Sequence, residues 1–201
     1  MISIHIEGEK KLNIKYALNS FLAAGVFALP VIGHADEFKA VQTDKTTLTF
    51  GYKQMGVNMD GRVKHFTAQV DFDPAKLNSA KAQIDIDIAS IDVGSDEGNG
   101  EVTGKLWFNA KAYPKASFVA NSVKALGGNR YEVTGPLSIK GRTSIVTAPV
   151  IFTQQGKIGT FDGAFVIKRA DFSIGEGSWA AFDTVANDIQ IKFHIVATSS
   201  T

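Results

Sequence analysis

The 201-residue chain contains no cysteine. This excludes a disulfide framework, thiol nucleophiles and thiolate metal sites, so stability must come from packing and backbone hydrogen bonds. Histidine is nearly as scarce. Beyond residue 35 only His65 and His194 occur, and two histidines without cysteine do not make a dedicated zinc site. Both are expected on the polar faces of strands, as surface residues. Charge of one sign is also missing. The first 35 residues hold three of the 21 Lys/Arg and two of the 20 Asp/Glu, leaving 18 of each. Without a basic surplus to neutralise phosphates, nucleic acid is not an expected partner. Catalytic signatures are absent too. There is no H-E-x-x-H, and Gly177-Ser178-Trp179 lacks the second glycine of a nucleophile elbow. Gly98-Asn99-Gly100 lacks the spacing of a phosphate loop. Asp92, Asp96 and Glu97 do not follow the spacing of a calcium loop. No nucleophile–base pair stands out, so an enzyme is not expected.

At the start, Lys10, Lys11 and Lys15 precede an apolar run from Tyr16 to Leu29. Pro30, Gly33-His34-Ala35 and the acidic pair Asp36-Glu37 follow. A basic region, an apolar region and a small-residue cleavage site form the order of a secretory signal. The run is shorter than the roughly 20 residues a membrane span needs. Residues 1–35 are therefore expected to be a signal peptide, with Glu7 and Glu9 unusual in its basic region. Residues 36–201 are expected to form one exported domain in a bacterial periplasm, with no stable membrane insertion after cleavage.

That domain is written in period-two alternation. Leu48, Phe50 and Tyr52 fall on one face of an extended segment, with Thr47, Thr49, Gly51 and Lys53 on the other. After a turn containing Gly and Asn, Phe66, Ala68, Val70 and Phe72 alternate again. Two such runs about a turn predict a hairpin with one buried face. Ala82, Ile84, Ile86 and Ile88 share a face opposite Asp85 and Asp87, which reads as a solvated face. Further runs carry Phe118 and Ala120; Tyr131 and Val133; Val146 to Phe152; Phe161 to Ile167; and Ile189 to Ile195. One region breaks the rhythm: the polar, glycine-rich stretch up to Trp107-Phe108 predicts a short helix within Glu97–Phe108. The expected fold is therefore all-β: eight or so antiparallel strands with one short helix, arranged as a sandwich or as a closed eight-stranded barrel. Ala68, Ala120, Ala148 and Gly163 sit in phase with the phenylalanines. They either taper a filled barrel or leave an apolar space. The charged cluster Lys168-Arg169-Ala170-Asp171 closes an apolar strand. A salt bridge pinning a turn is the favoured role, and a polar head-group contact the alternative.

Several segments together resemble the YceI-like family of lipid and polyisoprenoid-binding proteins. They are Leu48-Thr49-Phe50 with Gly56-Val57 and Gly61; Val70-Asp71-Phe72-Asp73; Ser90-Ile91-Asp92-Val93-Gly94; Trp107-Phe108-Asn109 with Tyr113-Pro114 and Phe118; Tyr131 to Gly135 with Leu137 to Gly141; and Arg169 to Gly175. Their order over more than a hundred residues carries the resemblance. It implies a lipocalin-like barrel with an elongated apolar pocket for a polyprenyl or quinone tail, a periplasmic location and a homodimer. No other cofactor is expected. The wall candidates are Leu48, Phe50, Phe66, Ala68, Phe118, Phe165 and Phe193. Trp107, Phe108 and Trp179 are expected to cover an end, and Arg169 to meet a head group. Many members of the family carry histidine where this chain has Gln54, and a charged helix where it has Gly98 to Gly104. Carriage or storage of a lipid is the expected function. An enzyme acting on such lipids through Arg169 and Asp171, or a ligand-free envelope interaction protein, are the alternatives.

Overall fold

A computed structural model describes residues 36–200. The segment expected to be a signal peptide lies outside them. The described chain forms one antiparallel sheet of twelve strands. These are β1 (Glu37–Val41), β2 (Thr47–Gln54), β3 (Val57–Val63), β4 (Phe66–Asp71), β5 (Lys81–Asp87), β6 (Ile91–Asp92), β7 (Lys115–Val119), β8 (Ser122–Gly127), β9 (Arg130–Ile139), β10 (Arg142–Gln155), β11 (Ile158–Lys168) and β12 (Asp188–Ser200). One α-helix, α1 (Asp96–Thr103), overlaps the expected region Glu97–Phe108 and starts one residue before it. Ser95 caps it by accepting the Gly98 N–H at 3.1 Å, and Asp96 and Glu97 favour the positive end of its dipole.

The sheet order is β4-β5-β7-β9-β10-β11-β12-β2-β3-β6, with β1 added to β12 and β8 to β9. Although β4 lies at one end of this order, Phe72 just beyond it bridges Phe38 of β1, near the other end. The sheet must therefore curl round on itself. It makes a half-barrel rather than the closed eight-stranded barrel expected.

Two corrections account for part of the difference in strand number. The stretch 116–126 is not one strand. It kinks at Ala120-Asn121 into β7 and β8, which pair with different parts of β9. The close approach of Val119 to Gly135 of β9 requires the glycine: a Cβ there would lie 2.0 Å from the Val119 carbonyl oxygen. The opening hairpin is also not the one expected. The chain turns at Met55-Gly56, and β2 pairs with β3, with Phe50 opposite Gly61. β3 reads Val-Asn-Met-Asp-Gly-Arg-Val and is mostly exposed. Without an apolar face it gives no alternation signal. β4 consequently pairs with β5 and never with β2.

Two cores result. Around Phe38, Phe72, Tyr131, Phe152 and Phe161, aromatic rings fill one end of the half-barrel, with centroids 4.9–6.4 Å apart. Such offset and edge contacts add to the burial of apolar area. The second cluster lies toward α1 and includes Ile88, Trp107, Leu137, Ile167 and Phe172.

Candidate functional site

Between these two cores the concave face of the sheet is not filled. An outer chamber of about 450 Å³ lies next to α1, and an inner chamber of about 150 Å³ lies next to the aromatic cluster. Leu48, Ile86, Ile139, Ile167 and Ile191 line both, so the chambers meet at a waist of aliphatic side chains. The inner chamber ends on Phe72, Tyr131 and Phe161, and Lys81 is its only charged lining residue. At one rim the outer chamber carries Gln54 from the end of β2, and Ser95, Glu97 and Glu101 from α1 and its cap; Thr49 and Arg169 also line it. Tyr52 also faces it, and burial pushes the phenol pKa up, keeping the ring neutral.

The expected site residues divide among three spaces. Phe50, Trp107, Phe108, Arg169 and Trp179 line the outer chamber, and Phe118, Phe165 and Phe193 the inner one. Leu48 lines both. Phe66 and Ala68 line neither. They border a separate groove between β2 and β4.

Arg169 does not form the expected salt bridge. Its side chain is 1% exposed, whereas Asp171 is exposed. All three guanidinium nitrogens donate to backbone carbonyls: Nε to Val185 and Ala186, Nη1 to Ile174 and Gly175, and Nη2 to Trp179, Ala181 and Val185. The aromatic rings of Trp107 and Phe182 stand 5.7 and 5.1 Å from its central carbon. Burial lowers the arginine pKa. The carbonyls all belong to the irregular segment 174–186, which crosses the end of the outer chamber. Gly175 fits this cage because it has φ +77° and no Cβ; one there would lie 2.3 Å from Nη1. Three further bonds tie down this segment and Ser173 just before it. Lys140 Nζ donates to the Ser173 carbonyl at 2.6 Å and to Glu176 at 2.8 Å, which depresses the Glu176 pKa. Trp179 Nε1 donates to Glu101 of α1 at 2.7 Å, across the rim. The Trp107 and Trp179 rings lie 5.4 Å apart, so the two tryptophans and the arginine form one cap. Trp107 Nε1 is buried with no protein acceptor among the described residues.

The family model of the YceI-like domain matches residues 40–197. The chain belongs to the YceI-like family. Among solved structures it is similar to BcnA of Burkholderia cenocepacia, with 48% identity and a TM-score of 0.77 over 79% of this chain and 99% of that one. A polyisoprenoid binding domain from Saccharophagus degradans shares the fold at 16% identity, with a TM-score of 0.63 over 83% of this chain and all of that one. Among curated relatives, a UPF0312 protein of Ectopseudomonas mendocina is 27% identical over 87% of this chain and 97% of its own length. Within this YceI-like frame, Gln54 stands at the chamber rim opposite α1, where its amide is half-buried. The rim thus carries a neutral amide and two carboxylates.

The two histidines lie outside both chambers. His65 is exposed on the bend between β3 and β4 rather than on a strand. His194 is on β12 as expected, with Nδ1 2.6 Å from Asp162. Among the described residues no group of acidic or histidine side chains is placed to hold a metal ion. The Arg169 cage was not legible from the sequence, because its acceptors are main-chain atoms. The one available signal was the density of glycine and small residues in 173–181, which lets backbone carbonyls converge.

Proposed function

We propose that this YceI-like protein binds a polyisoprenoid or similar long-chain lipid in the two-chamber lumen, and carries or stores it in the periplasm. The observation that supports the reading is the lumen itself: two linked, mainly apolar chambers, with Gln54, Glu97 and Glu101 at the rim of the outer one. Burying apolar surface is worth about 25 cal/mol per Å². A flexible chain laid along both chambers gains its affinity there, while Gln54, Glu97 and Glu101 orient the head. A rim without a free cation favours a neutral head group, such as a quinone or an alcohol. The site reads as binding rather than catalysis, since every guanidinium nitrogen of Arg169 is already bonded to backbone and Asp171 is exposed. The polyisoprenoid binding domain of Saccharophagus degradans supports the same ligand class through its shared fold. Homodimer formation is a further part of the proposal, drawn from the family resemblance.

Organic extraction of the purified protein followed by mass spectrometry tests this directly. The expected result is a prenyl lipid near one equivalent per chain. An extract without lipid, together with failure of added farnesol to bind in calorimetry, would sink the proposal.

A further inference from the structure

The half-barrel has a second opening. The β2–β3 ladder begins only at Thr49 opposite Arg62. At its far end β4 meets β1, through the Lys39–Asp71 ion pair and the bridge between Phe38 and Phe72 just beyond β4. Between these two points no pairing joins β2 to β4. A groove of about 340 Å³ occupies the gap. Its walls are Leu48 and Thr47 on one side and Phe66 and Ala68 on the other. Leu48, Thr49 and Val63 line this groove and the outer chamber alike. A single layer of side chains therefore separates the groove from the lumen.

The rim of this gap is basic. Arg62, Lys64 and His65 line it. Asp92 bonds both Arg62 and Lys64 at 3.1 Å, so these three groups together retain one positive charge. The corner is also rigid. Lys64 N–H donates to the Ser90 carbonyl, and His65 N–H donates to Ser90 Oγ, which donates to the carbonyls of His65 and Asp87. The other rim, beside α1, carries Glu97 and Glu101. The two openings thus differ in charge sign, which makes an anionic head group favourable at one and unfavourable at the other.

We propose that the gap between β2 and β4 is a lateral portal for a single-chain anionic amphiphile, a prenyl or acyl phosphate or carboxylate. Its head is held at Arg62, Lys64 and His65, and its chain passes Leu48 into the lumen. This rests on the lumen-binding reading above. The acidic rim repels such a head, so neutral and anionic lipids use different openings of one lumen.

Farnesyl phosphate and farnesol, which share one chain, are the probes. Calorimetry with the R62Q/K64Q double variant should weaken farnesyl phosphate roughly tenfold and leave farnesol within about twofold. Both side chains are exposed, and thermal melting checks that the variant folds. Because the chain has no cysteine, single cysteines report each opening separately. Farnesyl phosphate should protect A68C from a thiol reagent and leave M59C, exposed on the outer chamber, reactive. Protection of M59C instead, or farnesyl phosphate affinity unchanged in the double variant while farnesol binds, would overturn the portal alone. If neither compound binds the wild-type protein, the lumen reading falls and the portal with it.

Discussion

Replacing Arg169 with methionine should loosen the cap without emptying the barrel core. Methionine keeps the length of the aliphatic stem but removes every donor. Four of the guanidinium bonds, to Ile174, Gly175, Trp179 and Val185, measure 2.8–2.9 Å, and the other three measure 3.2 Å. Hydrogen bonds to a charged group contribute about 1.5–3 kcal/mol each. Against the four short ones stands the desolvation of a buried cation with no carboxylate partner, several kcal/mol in itself. Some carbonyls at the rim can also turn to water. The net loss expected is about 3 kcal/mol, or roughly 6–12 °C in Tm for a domain of this size. Urea unfolding measures the first quantity and thermal melting the second. Lysine should fall between arginine and methionine, because one ammonium cannot reach carbonyls spread around a planar fork. Hydrogen exchange provides the local test. Amides in 174–186 should lose protection in R169M, while those of β9 to β11 change only with global stability. A loss below about 1 kcal/mol, or unchanged exchange in 174–186, would refute the view that this side chain organises the cap.

Three other outcomes are expected. Gly61→Ala places a Cβ 2.3 Å from Phe50 Cζ and 2.9 Å from the Asp92 carbonyl oxygen. It should cost about 1–3 kcal/mol in urea unfolding and push Phe50 into the outer chamber, weakening lipid binding. The Asp92 carboxylate accepts the Gly94 N–H and bonds Lys64, Asn99 and Arg62, which hold its pKa well below the usual carboxylate range. A depressed folded pKa stabilises above the unfolded value near 3.9 and is lost as pH falls through the folded value. Asp92→Asn should therefore lower stability at neutral pH and flatten its decline below about pH 4, read from Tm against pH. Both tryptophans of the chain line the outer chamber. Farnesol binding seen by calorimetry should change their emission, most of it through Trp179 and absent from a W179F/W107F double variant. Binding without any emission change would place the ligand elsewhere.

The strands that alternate were legible in the sequence, and the ones that do not were missed. β5, β9, β11 and β12 each turn one face toward the core or the chambers, so apolar side chains recur at every second position. β3 lies over the outer rim with little buried, and its pairing rests on backbone bonds and on a glycine beneath Phe50. Periodicity has nothing to detect there. Missing it also joined β2 to β4 as one hairpin, when the two instead border a gap. Phe66 and Ala68 were placed on the lumen wall for that reason. Their face was read correctly, but a strand at an open edge presents that face to the groove. Arg169 failed as a reading for a different cause. A sequence displays possible carboxylate partners such as Asp171, but not which main-chain carbonyls a folded segment will turn inward. The short helix was legible because the strand rhythm stops in the glycine-rich stretch before Trp107-Phe108, where Val102 and Leu106 stand at helical spacing.

The aromatic cluster that closes the inner chamber also makes the lumen a ruler. A chain entering from the rim can advance only until its tip meets Phe72, Tyr131 and Phe161. Up to that depth each added methylene contributes about 0.8 kcal/mol. Beyond it, further units must fold back or remain in water, and affinity stops rising with length. Chain length would thus be set by where five rings pack together, far from the residues that meet the head.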